Sequence, residues 1–233
     1  MTAVLLLGFL IGMRHAVEAD HVAAVATLAT RGRSVADAVW QGAVWGLGHT
    51  LTLLVIGSIV LLLNAVVPAR AAHALEFAVG VMLMILGVDV LRRLWRERIH
   101  FHTHRHADGA EHFHAHAHDP GAAHDPAHHD HGHRQGFPVR ALLIGAMHGM
   151  AGSAALILLT LESVGAPAVG ILYIALFGLG SIAGMAALSV VIAVPLRYSA
   201  HGLTRLHNSL RGAIGVATIA LGGLLMVQVG MQG

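Results

Sequence analysis

Three polar side chains stand inside the first long apolar stretch of the chain. The local sequence is Arg14-His15-Ala16-Val17-Glu18-Ala19-Asp20-His21, flanked by Leu5–Met13 and Val22–Ala29. As one helix, Thr2–Thr30 would run roughly 43 Å at about 1.5 Å per residue. A bilayer core is about 30 Å thick, so the cluster falls near its middle. An ionisable residue there costs at least about 2.5–3.5 kcal/mol. Scaffold does not account for so many together. Imidazoles and a carboxylate in that position point to a metal or proton site.

The geometry of a helix adds a condition. Residues five and six positions apart point about 140° and 120° away from the first at 3.6 residues per turn. His15 shares a face with Asp20 and His21 only if the helix is broken there. Discontinuous helices are how transporters present ligands to an ion at mid-membrane. Gly12 permits such a break.

The elements around the cluster are those of a polytopic membrane protein. Of 233 residues, 56% are hydrophobic and only 11% charged, and the mean hydropathy is +0.70. Soluble domains average about 25% charged. The chain has no cysteine, so thiolate ligands and disulfides are excluded. All fourteen basic residues are arginine, and most flank apolar segments. The pI of about 9.9 therefore reflects membrane topology, not nucleic-acid binding.

Six spans are expected: Thr2–Thr30, Val35–Val67, Ala72–Trp95, Pro138–Leu161, Ala168–Val194 and Asn208–Met231. Ser34-Val35-Ala36-Asp37 has the pattern of a capping box opening the second. Pro68 is expected to close that span, Pro138 and Pro167 to start helices, and Pro195 to end the fifth span. Residues 99–136 form a low-complexity segment with thirteen histidines, expected to be disordered.

The chain also repeats. Leu10-Ile11-Gly12-Met13-Arg14-His15 aligns with Leu143-Ile144-Gly145-Ala146-Met147-His148, which sets Asp20 against Ser153 and His21 against Ala154. Gly46-Leu47-Gly48-His49 aligns with Gly178-Leu179-Gly180-Ser181 one span later. Three spans per half means that the halves enter the membrane from opposite sides. The expected fold is therefore all-α, with six helices as two inverted three-helix repeats, 1–98 and 137–233, around the histidine-rich loop.

The arginines orient it. Twelve lie at the links after spans one, three and five, against Arg70 alone on the opposite face, with Arg14 inside a span. By the positive-inside rule, both termini face outside and the histidine segment faces the cytoplasm.

Spans one, two, four and five carry the mid-depth polar groups: His15, Asp20 and His21; His49; His148 and Ser153; Ser181. Spans three and six read as scaffold. Neutral imidazoles suit nickel, cobalt, copper or zinc, whereas magnesium and calcium prefer oxygen. Ser153 and Ser181 also fit simple helix packing. Arg14 and Glu18 fit a supporting or gating pair, with each other or with Asp20. In the loop, His100, His102, His104, His106, His112, His114, His116 and His118 would bind the same metals in many registers.

His15, four residues, then Asp20-His21 resembles the signature of the nickel/cobalt transporter family. Gly48-His49-Thr50 resembles that family's motif on the following helix. His148-Gly149-Met150-Ala151-Gly152-Ser153 stands where better-known members carry Phe-Asp-Thr, and resembles the smaller urease-accessory-type permeases. The resemblance implies a secondary permease, not an enzyme, with Ni²⁺ or Co²⁺ as substrate and no cofactor. It implies His15, Asp20, His21 and His49 as metal-site residues. His148 joins them by its repeat equivalence to His15.

The expected location is a bacterial or archaeal cytoplasmic membrane. The expected partners are the dication, the lipid bilayer and a cytoplasmic nickel chaperone. The competing readings are efflux of the same metals and a membrane metal sensor. Deletion of the loop separates the latter, because a transporter keeps its activity without it.

Overall fold

The computed structural model describes residues 2–32, 34–63, 68–96, 100–105, 111–116, 137–163, 167–200 and 203–232. They form seven helices and one two-stranded hairpin. The helices are α1 (Thr2–His15), α2 (Ala19–Ala29), α3 (Val35–Leu63), α4 (Ala69–Arg96), α5 (Val139–Ser163), α6 (Pro167–Ala200) and α7 (Thr204–Gln232). Four of them, α3, α4, α6 and α7, are long and apolar enough to cross a membrane. Exposed leucine, isoleucine and valine cover their outer faces, including Leu51, Val55, Ile59, Val191 and Val216. Such a surface suits lipid, not water.

The first apolar stretch is broken between His15 and Ala19, which is the condition for His15 to share a face with Asp20 and His21. After His15 the chain tightens into turns, with Val17 N–H donating to Arg14 O and Glu18 N–H to His15 O. Glu18 is extended (φ −63°, ψ 147°), and α2 begins behind it. Gly12 lies inside α1, buried against α6.

Two prolines bear on where helices begin and end. Residues 64–67, where Pro68 is expected to close the second span, lie outside the described residues, and what the structure shows of Pro68 is its place at the next helix. Pro68 opens α4, where its carbonyl accepts from the Ala71 and Ala72 amides. Pro195 lies inside α6, which continues past its expected end to Ala200. Its missing N–H removes one bond of the helical ladder, while buried Leu196 and Ser199 hold the following turn in place. Pro167 is the first residue of α6, where proline is pre-organised for a helix. Ser34 caps α3, its Oγ accepting the Asp37 amide at 3.0 Å.

Glycines set how close the helices come. Any side chain at Gly12 on α1 would collide with the Phe177 carbonyl on α6, and one at Gly180 with that of Phe9. On the α3–α5 interface, Gly145 stands against the Trp45 carbonyl and Gly48 against that of Leu142. Between α3 and α6, Gly46 meets Ile182 and Gly178 meets Thr50, whose Oγ1 donates to Gly178 O at 3.0 Å. Between α4 and α7, Gly80 opposes Gly222 and Gly87 opposes Gly215.

These contacts predict an asymmetry among the glycines. Gly12→Ala and Gly145→Ala are each expected to lower stability by about 1–3 kcal/mol, the usual cost of overpacking. Gly223→Ala and Gly230→Ala meet open space, and the helix propensity of alanine makes them neutral or slightly stabilising. Melting temperatures of the four variants in detergent test this. Gly145→Ala melting with the parent would remove the backbone-contact argument.

Asp89 ties three elements together on the arginine-rich face. It pairs with Arg31 after α2, with Arg93 at 3.2 Å on its own helix, and with Arg140 on α5 at 3.9 Å. The half-exposed side chains make this a modest contribution to stability. It does, however, anchor the end of the broken stretch to its neighbours.

Candidate metal centre

The break delivers the first three side chains to one place. His15 is the last residue of α1, while Asp20 and His21 lie in the first turn of α2. The Asp20 carboxylate accepts the His21 backbone N–H at 2.9 Å, one of the unpaired amides of a helix start. A negative charge is favourable there.

Two further histidines reach the same point from other helices. His49 on α3 is fully buried, and His148 on α5 is 1% exposed. The small residues beside them explain the approach. Gly48 and Gly145 bring α3 and α5 into backbone contact, and Gly149 lies against the His49 backbone. The four rings cluster about His21: its centroid is 4.2 Å from His15, 5.2 Å from His49 and 4.3 Å from His148.

The hydrogen bonds order the nitrogens. The Nδ1–H of His15 donates to Glu18 at 2.8 Å. The Nδ1–H of His21 donates to Asp20 Oδ1 at 2.9 Å, and the Nε2–H of His148 donates to Asp20 Oδ2 at 2.8 Å. An ionised carboxylate only accepts, so it fixes the proton on the nitrogen it faces. The opposite nitrogens are left with bare lone pairs: His15 Nε2, His21 Nε2 and His148 Nδ1. All three are buried and have no hydrogen-bond partner among the described residues; the same holds for both nitrogens of His49. A carboxylate on one imidazole nitrogen and a free lone pair on the other is the arrangement of a metal-binding histidine.

Two overlapping triads bring their ligand atoms within 4.8 Å of one another: His15, His21 and His49, and Asp20, His21 and His148. A borderline dication bonds imidazole nitrogen at about 2.0–2.1 Å, so neighbouring ligand atoms around one ion stand about 3.0–3.4 Å apart. His21 belongs to both triads.

Aromatic walls enclose the cluster. Trp45 lies 5.3 Å from His21, 6.0 Å from His49 and 5.4 Å from His148 between ring centroids, and Phe177 lies 5.2 Å from His15. Sequence reasoning missed both. Trp45 stands four residues before His49 on α3, a spacing that places the two on one helix face.

Other expected residues fall elsewhere. Glu18 bonds His15, not Arg14, and Arg14 is exposed. Ser181 is fully buried and donates to Gly12 O at 3.2 Å, a bond that joins α6 to α1. The side chain of Ser153 lies outside the described residues, as do His106 and His118. Of the remaining loop histidines the backbone is described: strands His100–Arg105 and Glu111–His116 pair antiparallel, with His100 opposite His116, His102 opposite His114 and His104 opposite His112.

Broken helix, apolar exterior and a buried histidine cluster define a helical membrane protein with a polar centre at its core. Comparison with known proteins agrees. The chain is 33% identical over 234 residues to the urease accessory protein UreH of Bacillus sp. (strain TB-90), covering 99% of this chain and 93% of that one. No protein-family profile matches, and no solved structure does. The chain belongs to the nickel/cobalt transporter family, in its UreH-like permease branch.

Proposed function

We propose that this protein is a secondary permease that carries Ni²⁺, or Co²⁺, into the cell through the His15–His21–His49–His148 centre. The observation that carries the reading is the set of buried, unpartnered imidazole nitrogens around His21. Imidazole selects borderline dications. Asp20 supplies a charge that offsets part of the ion's own, and in this reading it also orients His21 and His148. Glu18 does the same for His15.

The glycine contacts support an inverted repeat of two three-helix halves, with the histidine segment between them. The alignment that carries Gly12 onto Gly145 and Trp45 onto Phe177 turns the α1–α6 interface into the α3–α5 interface. It turns the α3–α6 and α4–α7 interfaces into themselves, as a two-fold axis in the membrane plane does. Transport then exposes the centre to each side in turn as one half rocks against the other.

The arginine bias supports a cytoplasmic histidine segment and external termini. The potential supports uptake. About 100 mV, negative inside, gives about 4.6 kcal/mol for a dication, enough for more than a thousandfold gradient without ATP. The histidine hairpin collects ions at the cytoplasmic mouth for a nickel chaperone. The relative's name points to urease as a destination.

The test is accumulation of radioactive nickel and cobalt by cells expressing the full chain, with and without a protonophore. Accumulation above vector cells, reduced by the protonophore, is expected. Equal content in expressing and vector cells would reject the reading.

A further inference from the structure

A cleft runs between α4 and α5 on the outer surface of the molecule. Its wider part is a cavity of about 560 Å³, within the size of sites that take small amphiphilic ligands. Met82, Leu86 and Ile144 are buried at its floor, and Phe77 and Ile85 are exposed at its edge. Arg140 alone among its lining residues is not apolar. A second cavity of about 290 Å³ continues the cleft, sharing Ile85 and Arg140 with the first and adding Asp89 and Arg92. The cleft is therefore apolar along most of its length and charged at one end.

The sequence sets this pattern along both helices. Phe77, Val81, Ile85, Val88 and Arg92 follow at steps of three or four residues, which keeps them on one face of α4. Arg140, Ile144 and Met147 do the same on α5. From Phe77 to Val88 the helix rises about 16 Å at about 1.5 Å per residue. The hydrocarbon of one leaflet is about 15 Å deep, half of a bilayer core of about 30 Å. The apolar part of the cleft thus matches one leaflet in depth, and the guanidiniums of Arg92 and Arg140 come just beyond it.

We propose that this cleft binds an anionic phospholipid, with one acyl chain in the apolar part and the phosphate at Arg92 and Arg140. Guanidinium forks bond several oxygens of one phosphate, and basic pockets between transmembrane helices take acidic headgroups. Asp89 does not cancel the site. Its carboxylate is held by Arg31 and Arg93. Arg140 stands 3.9 Å from it, beyond hydrogen-bond reach, so that contact takes up no N–H of Arg140. The lipid would join α4 to the turn of α5 that carries His148, because Met147 lines the cleft. This reading goes beyond the cargo site and stands whichever ion the histidines carry.

The experiment is native mass spectrometry of the purified full chain with equal amounts of dioleoyl-phosphatidylglycerol and dioleoyl-phosphatidylcholine. Phosphatidylglycerol is expected to be retained over phosphatidylcholine by about fivefold or more, the usual effect of one arginine on an acidic lipid. Arg92→Gln combined with Arg140→Gln is expected to remove the preference. Arg70→Gln, at the opposite end of α4, is expected to keep it. Ala78→Trp places a large ring in the apolar part and is expected to lower retention of both lipids. A phosphatidylglycerol with a diazirine on its acyl chain gives a readout on the unaltered protein, with labelled peptides expected from 77–88 and 140–147. Equal retention of the two lipids, a preference unchanged by the double arginine variant, or one lost equally in Arg70→Gln overturns the proposal. So does labelling that spares both segments, or a dimer of this chain that Ala78→Trp dissociates and lipid does not.

Discussion

His21→Ala is expected to reduce nickel accumulation by more than about a hundredfold while leaving the protein in the membrane. His21 is the one side chain common to both triads. Its ring lies within about 5 Å of His15, His49 and His148. Removing it deletes a nitrogen donor from either position an ion could take, and releases one arm of Asp20. Replacing the carboxylates that merely orient such ligands already costs about 10–100-fold, so loss of the shared ligand should cost more. His148→Ala should be milder, because it leaves the His15–His21–His49 triad intact. Uptake rates normalised to membrane abundance decide the matter. His21→Ala transporting at the parental rate would move the cargo site elsewhere.

Asp20→Asn is the second large effect, about 10–100-fold in apparent affinity for nickel. The substitution keeps the shape and removes the charge. Asp20 accepts three N–H groups on two oxygens, from the His21 backbone, His21 Nδ1 and His148 Nε2. Asparagine has one acceptor oxygen, and its amide turns a donor toward one of these groups. One imidazole must then give up its proton position, and its lone pair no longer faces the centre. Glu18→Gln is expected to be far weaker, since a glutamine carbonyl still accepts from His15 Nδ1. The measurement is the KM for radioactive nickel in membrane vesicles. Equal KM for Asp20→Asn and parent would show that Asp20 does not position these rings.

The sequence alone determined the class of protein and marked out its polar centre. Sparse charge, long apolar stretches and the cost of burying His15, Asp20 and His21 leave little else. It also showed that His15 shares a face with Asp20 and His21 only if the first apolar stretch breaks, because a regular helix points His15 away from them. The close match of Gly-His-Thr and the His15–His21 spacing to one family came from the same few residues.

Tertiary structure decided where the break falls and what each group touches. Gly12 would permit a break, but its missing side chain admits the α6 backbone, and the chain turns at Ala16–Glu18. Arg14 and Glu18 are near enough in sequence to pair, yet Glu18 bonds His15. The bond from Asp20 to His148 joins groups 128 residues apart. No local pattern encodes it, because it depends on how far each helix is rotated and how closely it docks. Those are set by backbone contacts at Gly48 and Gly145 and by the Trp45 and Phe177 rings that fill the remaining space. Pro68 and Pro195 show the same limit at helix ends. A proline states that one N–H is missing, and only the packing of its neighbours settles whether a helix starts, stops or continues there.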